Sequence, residues 1–288
     1  MDFEIIIDSC CDLPADFIKK NNLITLPFRY SLGDEELEDD FGVSVEYSEF
    51  YNKMRNGNIS KTTQVNSNRY YEEFKKHILL KKSIIYICFS SALSGSYNSA
   101  IMAKNDLQEE YNYADISIVD SKSASLGLGL LIYNVVKMKD KGYSKEELVT
   151  YIEKTKYKVS HYFTVDDLIY LYRGGRVSKT KAKVSSVLNI KPILHVDDHG
   201  RLIPFDKVKG RKKSIRKLME LMENNIEIHE ENTIAISHGD CLGEALKLKD
   251  IIEEKYRNYN IIINQIGPVI GSHSGPGTLA IFFISNNR

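Results

Sequence analysis

The segment from Ser90 to Tyr97, SSALSGSY, lies between a β-branched run and a helical pattern that starts near Asn98. Small hydroxyl residues and a glycine at a helix opening gather backbone N–H groups and serine hydroxyls around one point, which suits a carboxylate or a phosphate. A plain serine helix cap would use the same residues. Lys61-Thr62-Thr63-Gln64 is a second hydroxyl-rich segment. The third, Gly267 to Gly277, surrounds His273 with four glycines and two prolines. That density of Gly and Pro specifies an unusual backbone path and reads as a loop built to place the imidazole. Asp8-Ser9-Cys10-Cys11-Asp12 falls where a buried strand should end and a helix begin near Pro14. Strand C-termini in parallel sheets face the ligand crevice, so Asp12 there is either a helix cap or a site residue. The adjacent thiols have no basic neighbour in sequence to lower their pKa and read as packing.

Other patterns point to competing chemistry. Gly239-Asp240-Cys241-Leu242-Gly243 follows a strand-like run and has the outline of a nucleophile elbow with cysteine in place of serine. A hydrolase using Cys241, or a phosphoryl-transfer enzyme built on the Ser94 turn, is therefore the alternative to a binding protein. Ser178-Lys179-Thr180-Lys181 fits SxxK without the companion motifs, and Ser125 to Gly129 lacks the spacing of a dinucleotide or P-loop. Arg173-Gly174-Gly175-Arg176 and Lys207 to Lys213, which includes Arg211, are basic stretches whose usual fate is a solvated surface.

These residues need a framework. Phe3–Ile7, Ser83–Phe89 and Ile116–Val119 are short apolar runs, each followed by a polar turn and a helical pattern. This is the rhythm of a parallel sheet with crossover helices. Ser144 and Glu147 form a capping box that starts a helix running to about Tyr157. Beyond Ser160 the rhythm changes. Lys191–Val196 and Arg201–Val208 flank Asp198-His199-Gly200 as a β-hairpin. Two amphipathic patterns follow, one on Ile215, Leu218, Met219 and Met222, the other on Ala245, Leu248, Ile251 and Ile252. The expected architecture is α/β and two-lobed: a parallel-sheet α/β lobe over residues 1–159, an α+β lobe over 160–288, and a cleft between them.

The composition bounds the function. With 288 residues, 42% hydrophobic and 27% charged, the chain is an ordinary globular one with room for two cores. Lys plus Arg equals Asp plus Glu at 39 each, so no overall field draws it to nucleic acid or to an anionic membrane. No apolar run approaches the roughly 20 residues that cross a bilayer, so stable membrane insertion is not expected. The four cysteines form neither a disulfide framework nor a zinc site, and with no leader in evidence the expected compartment is the cytoplasm.

Taken in order, Asp8-Ser9 with Asp12, Lys61-Thr62-Thr63-Gln64, Ser90-Ser91 with Leu93-Ser94-Gly95 and Tyr97, Gly174-Gly175-Arg176, and Gly271-x-His273-x-Gly275-Pro276-Gly277 resemble the DegV family of bacterial fatty-acid-binding proteins. The resemblance covers nearly the whole chain. It implies a long-chain fatty acid held between two lobes, its tail buried in the first and the glycine-rich histidine loop contributed by the second, with no other cofactor and no covalent chemistry by the chain itself. It places the carboxylate at Thr62, Ser94 and His273, with Thr63, Ser91, Gly95 and Gly271 as further ligand contacts. It also implies a partner, the ATP-dependent subunit of a fatty acid kinase, which makes an acyl-phosphate. Arg173, Arg176 and Arg211 are the candidate contacts with that subunit, because the transfer brings phosphate charge to the mouth of the cleft. The sequence departs from the family pattern at Val65-Asn66, where a Pro-Ser pair is usual, and at Ser96, where a threonine is usual.

Overall fold

The computed structural model describes residues 3–178, 189–228 and 232–286. Its first sheet joins β1 (Phe3–Asp8), β2 (Ile24–Leu26), β6 (Ser83–Cys88) and β7 (Ile116–Asp120) in the order β2-β1-β6-β7, all parallel. Every residue of β6 is buried, which is why this strand reads as a continuous apolar run without alternation. Helices Ser67–Leu79 and Ser96–Glu110 pack together on it.

The second sheet has six strands: β8 (Val159–Thr164), β9 (Ile190–Val196), β10 (Leu202–Lys209), β11 (Thr233–His238), β12 (Asn260–Gln265) and β13 (Leu279–Ile284). Their order is β10-β9-β8-β13-β11-β12, antiparallel except for the β11–β12 pair. The predicted hairpin is β9–β10, turning at Gly200 with φ +81°. Side chains alternate across this sheet. Tyr162, Ile234, Ile281 and Phe283 pack beneath helices Arg211–Asn225 and Leu242–Lys255, whereas Phe163, Ala235, Ala280 and Phe282 face the first sheet.

Helix Leu126–Asp140 is wedged between the sheets, in contact with β8, β11 and β13 although it precedes residue 159. Leu126 through Ile132 are all buried, and two glycines give the helix its close fit. A Cβ on Gly129 would lie 2.6 Å from the Cys11 carbonyl oxygen, and one on Gly127 would lie 2.1 Å from His161 Nε2. Helix Lys145–Thr155 begins with the predicted capping box: the Ser144 amide donates to Glu147 Oε2 at 2.8 Å and the Glu147 amide to Ser144 Oγ at 3.3 Å.

Three features differ from the sequence reading. A small antiparallel sheet, β4-β3-β5, forms from Glu35–Glu38, Arg29–Leu32 and Thr62–Thr63, and it was not anticipated. Residues Pro268–Ser274 are helical, where the density of Gly and Pro reads as loop. Pro268 sits in the first turn, where its missing N–H costs nothing, and Gly275 ends the helix at φ +81°. Asp12 caps no helix that follows it: helix Ala15–Lys20 has Pro14 at its N-cap and no side-chain cap, and the Asp12 carboxylate is engaged elsewhere.

Candidate functional site

The C-terminal ends of the parallel strands open toward the second sheet, and the turns that follow them bond across the gap. Ser90 Oγ, after β6, donates to the Gly200 carbonyl at 2.9 Å. Ser125, after β7, hydrogen-bonds Ser237 of β11 at 2.9 Å between hydroxyl oxygens. Asp12, after β1, accepts the Gly267 amide at 2.9 Å, and its second carboxylate oxygen accepts the Ser125 hydroxyl.

Between these ties lies a cavity of about 360 Å³, within the range of roughly 300–1,000 Å³ usual for small-molecule sites. Phe28, Phe89, Phe163, Phe282, Val196 and Leu202 make most of its interior apolar. One end is polar. There Thr62 of β5, Ser94 of the post-β6 turn, Arg176 and His273 converge from four separated segments of the chain.

The wiring of this end determines what it can hold. Thr62 Oγ1 lies 2.8 Å from His273 Nε2. Burial, reinforced by the nearby Arg176 charge, pushes the imidazole down to about 4, so the ring is neutral at neutral pH. With the proton on Nε2, the ring donates to Thr62, and the Thr62 hydroxyl is free to donate onward. Ser94 Oγ accepts the Ser96 amide at 3.2 Å and likewise keeps its own proton for a ligand. Arg176 donates Nε and Nη2 to the Leu93 carbonyl at 3.1 and 2.8 Å and Nη1 to the Gly174 carbonyl. No carboxylate balances this guanidinium among the described residues. A half-buried cation held, among the described residues, by carbonyls alone and lying beside two hydroxyl donors has the chemistry to receive an anion at the end of an apolar cavity.

The model described as "Uncharacterised protein, DegV family" matches residues 2–286. The chain belongs to the DegV family. A DegV domain-containing protein of Clostridium perfringens is 45% identical over 286 residues, covering 99% of this chain and 98% of the relative. Among solved structures, DegV of Bacillus subtilis, described as a fatty acid binding protein, is 27% identical with a TM-score of 0.82 and covers 99% of this chain and 100% of its own. The Fatty Acid Kinase (Fak) B3 protein of Streptococcus pneumoniae, loaded with linoleic acid, is 25% identical with a TM-score of 0.85 and the same coverage. The parallel-sheet lobe and the second, sheet-containing lobe expected from the sequence are thus the DegV architecture.

Within this DegV chain, the structure brings Thr62, Thr63, Ser94, Arg176 and His273 together on the cavity wall. Ser91, Gly95 and Gly271 fall elsewhere. The Ser91 amide donates to Asp120 at 3.1 Å, and its hydroxyl accepts from Lys122 at 3.2 Å. Gly95 makes room for the Gln64 side chain, and Gly271 for the Tyr51 hydroxyl, which donates to the Ile266 carbonyl at 2.9 Å. Arg173 is exposed and lines a second cavity of about 260 Å³, a vestibule in the sense that it shares Thr62, Arg176 and His273 with the first. Arg211 is away from the cavity, paired with Glu244 at 2.5 Å. Arg176 forms part of the wall, where the sequence reading makes it a candidate kinase contact at the mouth of the cleft; its signal is the Gly174-Gly175-Arg176 motif.

The competing chemistries gain no support. Cys241 lies outside the cavity lining, and its thiol, pushed up to about 12 by burial, approaches the Thr278 carbonyl at 3.3 Å. Cys10 and Cys11 are fully buried, and burial raises both thiols. Residues 179–181 of the SxxK pattern lie outside the described residues. Among the described residues, no group of three or more His, Cys, Asp or Glu could hold a metal, and no helix is long and apolar enough to cross a membrane.

Two buried carboxyls at the strand ends give the protein a pH signature. Burial pushes Asp8 and Asp12 up to about 7 from an ordinary 3.8. Between those values the folded protein holds protons that the unfolded chain has released, so stability falls as pH rises through this window and levels off above it. The depressed His273 works in the opposite sense, but only below its ordinary 6.5. The melting temperature is therefore expected to rise as pH falls from about 8 to about 6.5, as followed by calorimetry. A flat or falling profile there would mean that these carboxyls are ionised in the fold.

Proposed function

We propose that this chain binds one long-chain fatty acid between its sheets, with the tail in the phenylalanine-lined cavity and the carboxylate at Thr62, Ser94 and His273. The observation that carries the proposal is Arg176: a half-buried guanidinium without a carboxylate partner among the described residues, at the polar end of an apolar cavity. A fatty acid supplies both missing parts, an apolar chain and one negative charge. At about 0.8 kcal/mol per buried methylene the tail provides the affinity, and the head group sets the orientation.

The bound carboxylate lies next to the vestibule, which opens it to a second molecule. We infer that the chain makes no covalent bond itself and presents the carboxylate to the ATP-dependent subunit of a fatty acid kinase, as the likeness to the pneumococcal kinase B3 protein suggests. The exposed Arg173 at the rim is the proposed contact, and charge reversal there is expected to weaken complex formation with that subunit. Unaltered complex formation would remove Arg173 from the interface. Arg211, already paired with Glu244, is the weaker candidate.

Denaturing mass spectrometry of an organic extract from the purified protein tests the central claim. A stoichiometric fatty acid of about 14 to 18 carbons is expected, a length that buries a dozen or more methylenes. An empty extract from folded protein that also fails to take up added oleate would overturn the reading.

A further inference from the structure

His273 is held on two sides, and only one of them is its hydrogen bond to Thr62. The other side is Gly174. A Cβ built on Gly174 would lie 1.9 Å from His273 Nδ1, 2.8 Å from Cε1 and 3.1 Å from Cγ. The imidazole edge therefore rests directly on the Gly174 backbone, and Nδ1 is buried there without a hydrogen-bond partner. Backbone conformation does not require this glycine. Gly174 ends helix Ile169–Arg173 at φ −74° and ψ −7°, a right-handed conformation open to any L-residue, whereas its neighbour Gly175 has φ +74°. The missing side chain at position 174 serves the contact.

We propose that Gly174 is the positioning residue for His273: it fixes how far the imidazole reaches toward Thr62 and, through Thr62, where the ligand carboxylate is held. The proposal rests on the reading of Thr62 and His273 as the carboxylate site. Restoring an ordinary contact distance of 3.4 Å would require the ring to retreat by 1.5 Å (3.4 minus 1.9). A hydrogen bond of 2.8 Å does not survive a displacement of that size. The Gly174 carbonyl also accepts Arg176 Nη1, so the same residue seats both the imidazole and the guanidinium of the anion site.

The test is a cycle of Gly174→Ala, His273→Ala and the double variant in the full chain, each loaded with oleic acid labelled with carbon-13 at the carboxyl. The carbon-13 shift is followed against pH. Losing the imidazole that holds the Thr62 hydroxyl toward the ligand destabilises the carboxylate form, so the bound carboxyl of His273→Ala should titrate about one unit higher, the equivalent of one charge-assisted hydrogen bond. Gly174→Ala should shift it in the same direction, and adding Gly174→Ala to His273→Ala should change nothing further, because the ring it displaces is gone. A wild-type titration in Gly174→Ala, or a Gly174→Ala shift that persists without the imidazole, overturns the proposal. If His273→Ala itself leaves the titration unchanged, the carboxylate reading fails and takes this inference with it. Should Gly174→Ala fold poorly, its melting temperature decides: restoration by His273→Ala supports the contact, and lack of restoration overturns it.

Discussion

His273→Ala is expected to keep its fatty acid and lose its turnover. A dozen buried methylenes contribute about 10 kcal/mol, against about 1.5–3 kcal/mol for one hydrogen bond to a charged group, so the lipid extracted from the variant should remain near stoichiometric. Phosphoryl transfer demands more. The carboxylate oxygen must meet its partner in line and at short range, and misplacement by about 1 Å can cost about a hundredfold in rate. With the imidazole gone, the Thr62 hydroxyl is no longer held in place, because its one side-chain partner among the described residues was His273 Nε2 at 2.8 Å. Acyl-phosphate formation with the kinase subunit should therefore fall by about two orders of magnitude. Unchanged turnover would remove His273 from the mechanism, and a protein stripped of lipid would show that the head group, not the tail, holds the ligand.

The second large effect should come from Asp12→Ala. Its carboxylate is the acceptor for the Gly267 amide and the Ser125 hydroxyl, and its carbonyl receives the Asn264 side chain at 2.9 Å. Removing the carboxylate leaves the buried Gly267 amide unmatched, at about 1–3 kcal/mol, and takes one hydrogen bond of about 0.5–1.5 kcal/mol from Ser125, which keeps Ser237 as its partner. The desolvation that raises this carboxyl to about 7 offsets part of the loss, so a net destabilisation of about 2–3 kcal/mol is expected. For a chain of this size that lowers the melting temperature by about 5–10 °C. Asp16→Ala, on the exposed face of the helix that follows, should shift it by less than about 2 °C. A melt of Asp12→Ala within that margin would show that the tie across the sheets contributes nothing.

What the sequence disclosed and what it hid divide along physical lines. The strands of the parallel sheet, the Ser144–Glu147 capping box and the β9–β10 hairpin were legible because each is set by neighbours within a few residues. Helix Leu126–Asp140 gave no amphipathic signal because it is buried on nearly all sides, which erases the period of a half-exposed helix. The β3–β4 hairpin was hidden by its acidic Glu35, Glu36 and Glu38 and by strands of only four residues. Within the site, Thr62, Ser94 and His273 were found through motif resemblance. Arg176 was read as a contact at the mouth of the cleft and not as part of its wall because its partner, the Leu93 carbonyl, is 83 residues away, and composition carries no trace of such a contact. Asp12 was left open between a helix cap and a site residue for the same reason, its partner Gly267 being 255 residues distant.

Those separations also govern when the protein can become functional. Asp12 waits for Gly267, Tyr51 for Ile266 and Thr62 for His273, the last pair 211 residues apart. At about 5–20 residues per second, the hydroxyl of Thr62 precedes its imidazole on the ribosome by about ten to forty seconds. During that interval β1, β6 and β7 can pair, but the apolar wall meant for the ligand faces water or a chaperone. Strand β13 completes the centre of the second sheet only after residue 284 has been made. On the proposed function, a nascent chain cannot retain a fatty acid at a half-built site, and lipid loading would mark chains whose synthesis has passed that point.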